Sequence, residues 1–263
     1  MIPSKYILVH SPDALDMAKK AVADIKKPKV VGFAPLAAKA SVKPFTIGLW
    51  DLGAWLGGLT RLIEAMNAVQ NSFVFFEVKG TVPAGLISQP QRVIPWLRDC
   101  LGRSLTSEEE HDIKQNLIAN DYFGLAEAIR SDFQIDLLVG IAPSMVAGND
   151  EEEVYWNHFS TFYKATALVS THDLREYAER TGRPFETFLA CLIIAQVLVA
   201  LFYPKLGFHD DRGCLFDYNA DRVSLMKKGR DLRIEEECQN SIPKSYRPAA
   251  QVLMRFLSGL AKE

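Results

Sequence analysis

Residues 187–204 are apolar on every side, with Gln196 as the one strongly polar side chain. A helix without a polar face must be enclosed by protein or by lipid. The run is borderline for a membrane span, its flanks carry no positive bias, and Pro204 stops it where a soluble helix would also end. The pattern therefore predicts a central buried helix at 187–203.

Elsewhere the periodicity switches between strand and helix. Residues 6–10 read as a buried strand, Ser11-Pro12-Asp13 as a helix start for a helix reaching about residue 25, and 30–33 as a short strand. Residues 44–50 are the next strand candidate. Leu62, Ile63, Met66 and Val69 recur at helical spacing within 59–70, and 73–78 follows as a strand. Ser107-Glu108-Glu109-Glu110 reads as a capping box, and Tyr122 to Ile129 carries a second helical pattern, so 91–131 is expected to be a helical insertion. Strands are expected at 135–142 and 165–170, with an acidic loop at 148–153 between them. An irregular stretch at 206–237 and a helix at 249–260 complete the chain. Alternating elements without repeats give a mixed α/β (α+β) class with a single core sheet, read as one domain over 1–263.

Composition narrows the partners. The chain has 263 residues, 48% hydrophobic and 24% charged, and a net charge of −2 that offers no field for a nucleic-acid backbone. Lys26-Lys27-Pro28-Lys29 and Lys227-Lys228-Gly229-Arg230 read as solvated turns. Four cysteines and a start of Met1-Ile2-Pro3-Ser4-Lys5 without signal-peptide character point to a reducing cytoplasm.

Candidate chemistry is sparse. Glu77-Val78-Lys79 at a strand end is half of the metal-dependent nuclease pattern PD-(D/E)xK, with Asp51 as the nearby second acid, although a helix separates the two strands where those nucleases use a hairpin. The plainer reading is an edge strand with solvated charges. The glycines of 53–58 lack phosphate-loop spacing and read as a tight turn. Ser170, His172 and Asp173 are too close in sequence for a triad and read as a strand-end cap. His209 alone reads as a structural histidine. Cys191 is placed in the core, and Cys100 has no partner nearby.

A resemblance adds to this reading. Ala167-Leu168-Val169-Ser170-Thr171-His172-Asp173-Leu174 is similar to the strand and turn before the active-site helix of archaemetzincin-like zincin metallopeptidases. Gly207-Phe208-His209-Asp210-(x3)-Cys214-Leu215-Phe216-Asp217 and Ile234-Glu235-Glu236-Glu237-Cys238 resemble that family's last histidine and trailing cysteine pairs. The similarity covers 135–241, the zincin-like core segment.

The departures bear on function. Zincin peptidases need H-E-x-x-H on the buried helix, two imidazoles for zinc and a glutamate as general base. Ten residues before His209 stand Val199 and Ala200, and the helix expected at 187–203 carries no histidine and no acid. The resemblance implies a non-catalytic zincin-like protein that binds another protein subunit, in a bacterial defence or stress-response assembly. The alternatives are a nuclease using Glu77 and Lys79, and a metallopeptidase with relocated ligands. No organic cofactor is expected. Zinc is the one candidate: the resemblance implies a degenerate tail site of Asp210, Cys214, Glu235 and Cys238, with His209 able to replace one acid. The plainer alternative is that both cysteines are small buried residues left after such a site decayed.

Overall fold

A computed structural model describes residues 43–83, 86, 90–150, 153–219 and 222–260. The elements expected over 6–10, 11–25 and 30–33, and the Lys26-Lys27-Pro28-Lys29 cluster, lie outside the described residues. The strands are β1 (Phe45–Asp51), β2 (Phe73–Val78), β3 (Asn116–Ile118), β4 (Leu137–Ala142), β5 (Met145–Asn149), β6 (Val154–His158), β7 (Ser160–Tyr163) and β8 (Thr166–Ser170). The helices are α1 (Leu59–Val69), α2 (Pro90–Leu101), α3 (Ser107–Asp112), α4 (Ala119–Asp132), α5 (Leu174–Thr181), α6 (Phe185–Phe202), α7 (Arg222–Asp231), α8 (Glu236–Ser241) and α9 (Arg247–Leu260).

The main sheet runs β2-β1-β4-β8-β7; β7 is antiparallel to β8, and the other neighbours are parallel. Parallel strands are covered on both faces, and β4 and β8 are accordingly buried throughout. Side chains alternate across the sheet. Leu137, Val139 and Ile141 face a core built with α1, α5, α6 and α9, whereas Leu138 and Ala142 face a second core built with α4. On that second side a Cβ at Gly140 would lie 2.6 Å from the Tyr122 ring, so glycine there lets α4 sit close on the strand.

Helix α6 runs through the larger core. Residues 187–199 and Phe202 are buried, and the helix packs on β4, β7, β8, α5, α7 and α9. Among the described residues it is the one helix long and apolar enough to cross a membrane, and protein encloses it instead. Its bounds lie within two residues of the expected 187–203.

Several local expectations change. A second, three-stranded sheet, β3-β5-β6, accompanies the main one. The capping box begins one residue earlier than expected: the Thr106 hydroxyl accepts from the Glu109 amide at 3.1 Å, and the Glu109 carboxylate accepts from the Thr106 amide at 2.7 Å. The 91–131 stretch is not a purely helical insertion. It contains β3, and α4 supplies Tyr122, Ala126 and Ile129 to the core against the main sheet. β5 runs into the expected acidic loop of 148–153, and β6 and β7 follow it before β8; these strands are short, and β6 and β7 lack clean alternation, which hides them from a periodicity reading.

Leu198 is fully buried in α6. Leu198→Asp is expected to cost about 4 kcal/mol or more through an unpaired buried charge. Soluble yield and the circular-dichroism melting curve measure this; a soluble variant melting with the wild type contradicts the enclosure of α6.

Candidate metal centre

The stretch at 206–237, expected to be irregular, holds α7 and the start of α8; around them two short backbone bridges organise the tail. The His209 amide donates to Phe216 O at 3.1 Å and the Tyr218 amide to His209 O at 2.9 Å, pairing His209 with Asp217. The Leu215 amide donates to Arg233 O at 2.8 Å, pairing Cys214 with Arg233. Residues distant in sequence thus converge: one ligand atom each from His209, Cys214, Glu235 and Cys238 lies within 4.8 Å of the others. Cys214 and Cys238 are buried, while His209 and Glu235 are half-buried.

The donors suit zinc. Ligand atoms 2.0–2.3 Å from a tetrahedral ion lie roughly 3.3–3.8 Å apart, so the cluster needs only a small contraction. His209 Nδ1 lies 2.8 Å from the Asp210 carbonyl. A carbonyl only accepts, so Nδ1 is the donor to it, and Nε2 is the ring nitrogen left to face the cluster. That nitrogen faces Cys238 Sγ at 3.2 Å. The Glu235 amide donates to Cys214 Sγ at 3.4 Å, and the Glu235 carboxylate is 3.7 Å from Arg212 and 3.8 Å from Arg233. Burial foremost, then the Cys214, Glu235 and Glu237 charges, push the Cys238 thiol up to about 12. A cation would have to displace that proton, as thiolate ligation requires.

One expected ligand moves. The resemblance placed Asp210 in the set, but its side chain is exposed and its carbonyl is turned in toward the His209 ring. His209 takes the fourth place instead.

Two residues that sequence reasoning passed over stand behind the cluster. Asp217 is 1% exposed; its Oδ2 accepts from the amides of Arg212, Gly213 and Cys214 at 3.0, 2.6 and 3.0 Å. Its Oδ1 is buried without a hydrogen-bond partner and lies 3.5 Å from His209 Nδ1. Lys228 is also 1% exposed, and its ammonium donates to Asp217 O at 2.9 Å. The expectation that Lys227-Lys228-Gly229-Arg230 forms a solvated turn is therefore corrected: the run lies in α7. A Cβ at Gly229 would stand 2.3 Å from the Phe188 ring, so glycine draws α7 onto α6 and carries Lys228 inside. Leu225, fully buried, lies three residues earlier on the same face, and this spacing was the available signal.

The other candidates separate. Asp51 spends its carboxylate on the amides of Gly53, Ala54 and Leu56 at 3.0, 2.6 and 3.0 Å, fixing the turn after β1. Glu77 accepts from the Thr60 hydroxyl at 3.0 Å and lies 3.5 Å from Lys79. Their strands are parallel neighbours joined through α1, not a hairpin, and among the described residues neither acid belongs to a metal-ready group. The nuclease geometry is absent there. Ser170 Oγ accepts from the His172 amide at 3.0 Å, whereas the His172 ring lies 3.5 Å from Asp173, so the three form a strand-end cap rather than a triad. At the end of α6, where peptidase ligands would stand, Val199 is buried and Ala200 half-buried.

Burial pushes the Lys228 ammonium down from 10.5 to about 8, while Cys191, Asp217, Cys214 and Asp211 pull it back up. Between these values the unfolded chain binds a proton that the folded chain lacks, so this group's contribution to stability rises with pH. Urea unfolding at pH 7.5 and 10 is expected to show Lys228→Met losing part of its stability relative to wild type as the pH climbs. A pH-independent difference contradicts a charge buried at that site.

No family model matches the chain, and no curated protein matches it. Among solved structures the chain is similar to archaemetzincin from Methanopyrus kandleri, with a TM-score of 0.41 and 14% identity over 85% of this chain and 99% of that one. It is also similar to a zinc-dependent peptidase from Methanocorpusculum labreanum, with a TM-score of 0.39 and 15% identity over 75% of this chain and 100% of that one.

Proposed function

We propose that this is a non-catalytic, zincin-like protein-binding subunit whose tail is cross-linked by one structural zinc ion. The observation that carries the reading is the surface where α6 ends beside β7. Tyr203, 58% exposed, packs on Phe162 of β7 at 5.7 Å between ring centroids; Phe162 packs on Phe208 at 6.4 Å, and Phe208 on Tyr218, 63% exposed, at 5.9 Å. Among the described residues no strand pairs with the outer side of β7, and that edge is where an extended segment of another chain would add. Aromatic rings beside a free strand edge supply both main-chain and side-chain recognition.

His209 Nε2, Cys214, Cys238 and Glu235 would hold the zinc, and the ion would supply a cross-link between the 209–214 loop and the start of α8. Phe208 and Tyr218 each adjoin a residue of this region, so the cross-link also steadies this ledge of aromatic rings. A cytoplasmic setting and a place in a bacterial defence or stress-response assembly belong to this proposal and rest on the sequence resemblance.

Two experiments test it. Elemental analysis of protein purified without added metal is expected to find near-stoichiometric zinc that is lost in Cys214→Ser/Cys238→Ser. Well-folded wild type lacking zinc removes the metal part. A photo-crosslinking amino acid at position 203 is expected to capture a defined protein in cells, and Phe162→Ser to abolish that adduct. The same adduct from a crosslinker at exposed Val223, or zinc-dependent peptide hydrolysis by the purified protein, overturns the docking role.

A further inference from the structure

The carboxylate of Asp217 has two halves with different surroundings. Oδ2 is saturated by three backbone amides of the loop that carries Cys214, and this anchors the loop. Oδ1 is buried with no hydrogen-bond partner, a costly state for a carboxylate oxygen, and it faces the His209 ring. We infer that Asp217 is the positioning residue of the tail centre: its carboxylate holds the His209 ring with Nε2 toward the two cysteines, and buried Lys228 balances the charge behind it.

This inference rests on the zinc reading above. When a cation binds Nε2, the imidazole becomes a stronger donor at Nδ1, and the orphan oxygen 3.5 Å away gains attraction for it. The Asp210 carbonyl at 2.8 Å fixes the tautomer, and Asp217 adds the charge that a carbonyl lacks. Zinc with two thiolates and one carboxylate carries a net negative charge, and Asp217 adds another. Lys228 supplies a buried cation beside them, joined to the same residue through Asp217 O. The His209–Asp217 bridge lies between Phe208 and Tyr218, so the device that orients the ligand also sets the spacing of the ledge.

Asp217→Asn separates anchoring from positioning. The amide oxygen can replace Oδ2 and keep the three backbone bonds, which turns the NH₂ toward the Nδ1 proton, donor against donor. The variant is expected to fold while zinc affinity, measured by competition with a chromophoric chelator, falls about 10–100-fold. The loss is expected to vanish in a His209→Ala background, because there is then no ring to orient. Equal affinity in Asp217→Asn, or an undiminished loss without His209, overturns the positioning role and leaves the centre standing. Wild type that binds no zinc removes the centre itself, and the inference with it. A measurement without substitution runs beside these: nitrogen-15 spectra of labelled histidine in zinc-loaded wild type are expected to show metal on Nε2 and a slowly exchanging Nδ1 proton. Metal on Nδ1 sinks the assignment even where the asparagine variant fails to fold.

Discussion

A helix with no polar face has to be surrounded, and the enclosure of α6 governs the rest of this protein. The sheet covers one side through β4, β7 and β8, while α5, α7 and α9 close the others. Burying the side chains of 187–199 and Phe202 is the largest hydrophobic commitment visible in the fold, at roughly 1.5–3 kcal/mol for each large apolar residue. The same enclosure bears on chemistry: α6, packed on every side, carries no histidine, and its one acid, Glu186, stands in its first turn.

The tail obeys a different rule. It has few regular elements, and its order comes from backbone bridges, a carboxylate that gathers three amides, and donors that converge on a small volume. His209, Cys214, Glu235 and Cys238 are the donors that meet there. The tail also anchors itself in the core through Leu206, Leu215, Phe216 and Leu225.

How much of this could be read from residues alone depends on the range of the interactions. The α6 helix, β1, β2, β4, β8 and α1 were legible because periodicity and continuous apolar runs are local signals. Strands β5, β6 and β7 were not: each is short, and β6 and β7 lack a clean alternation even though they pair with their sequence neighbours β5 and β8. At the tail the cysteines, Glu235 and His209 were nameable from the family resemblance, but the exchange of Asp210 for His209 depended on which way one carbonyl turns. Asp217 and Lys228 left almost no trace. An aspartate in a loop and a lysine among lysines ordinarily face water, and only the close contact of Gly229 with Phe188 takes Lys228 out of it.

That contact has a mechanical meaning. Phe188 belongs to the core helix and Gly229 to the helix behind the tail, so the spacing between them is a fixed gauge. Any side chain at 229 would widen the gauge, admit solvent to the lysine and loosen its hold on the Asp217 carbonyl. The electrostatics of the tail is therefore set from inside the core, and sequence drift at position 229 is barred by a ring more than forty residues away.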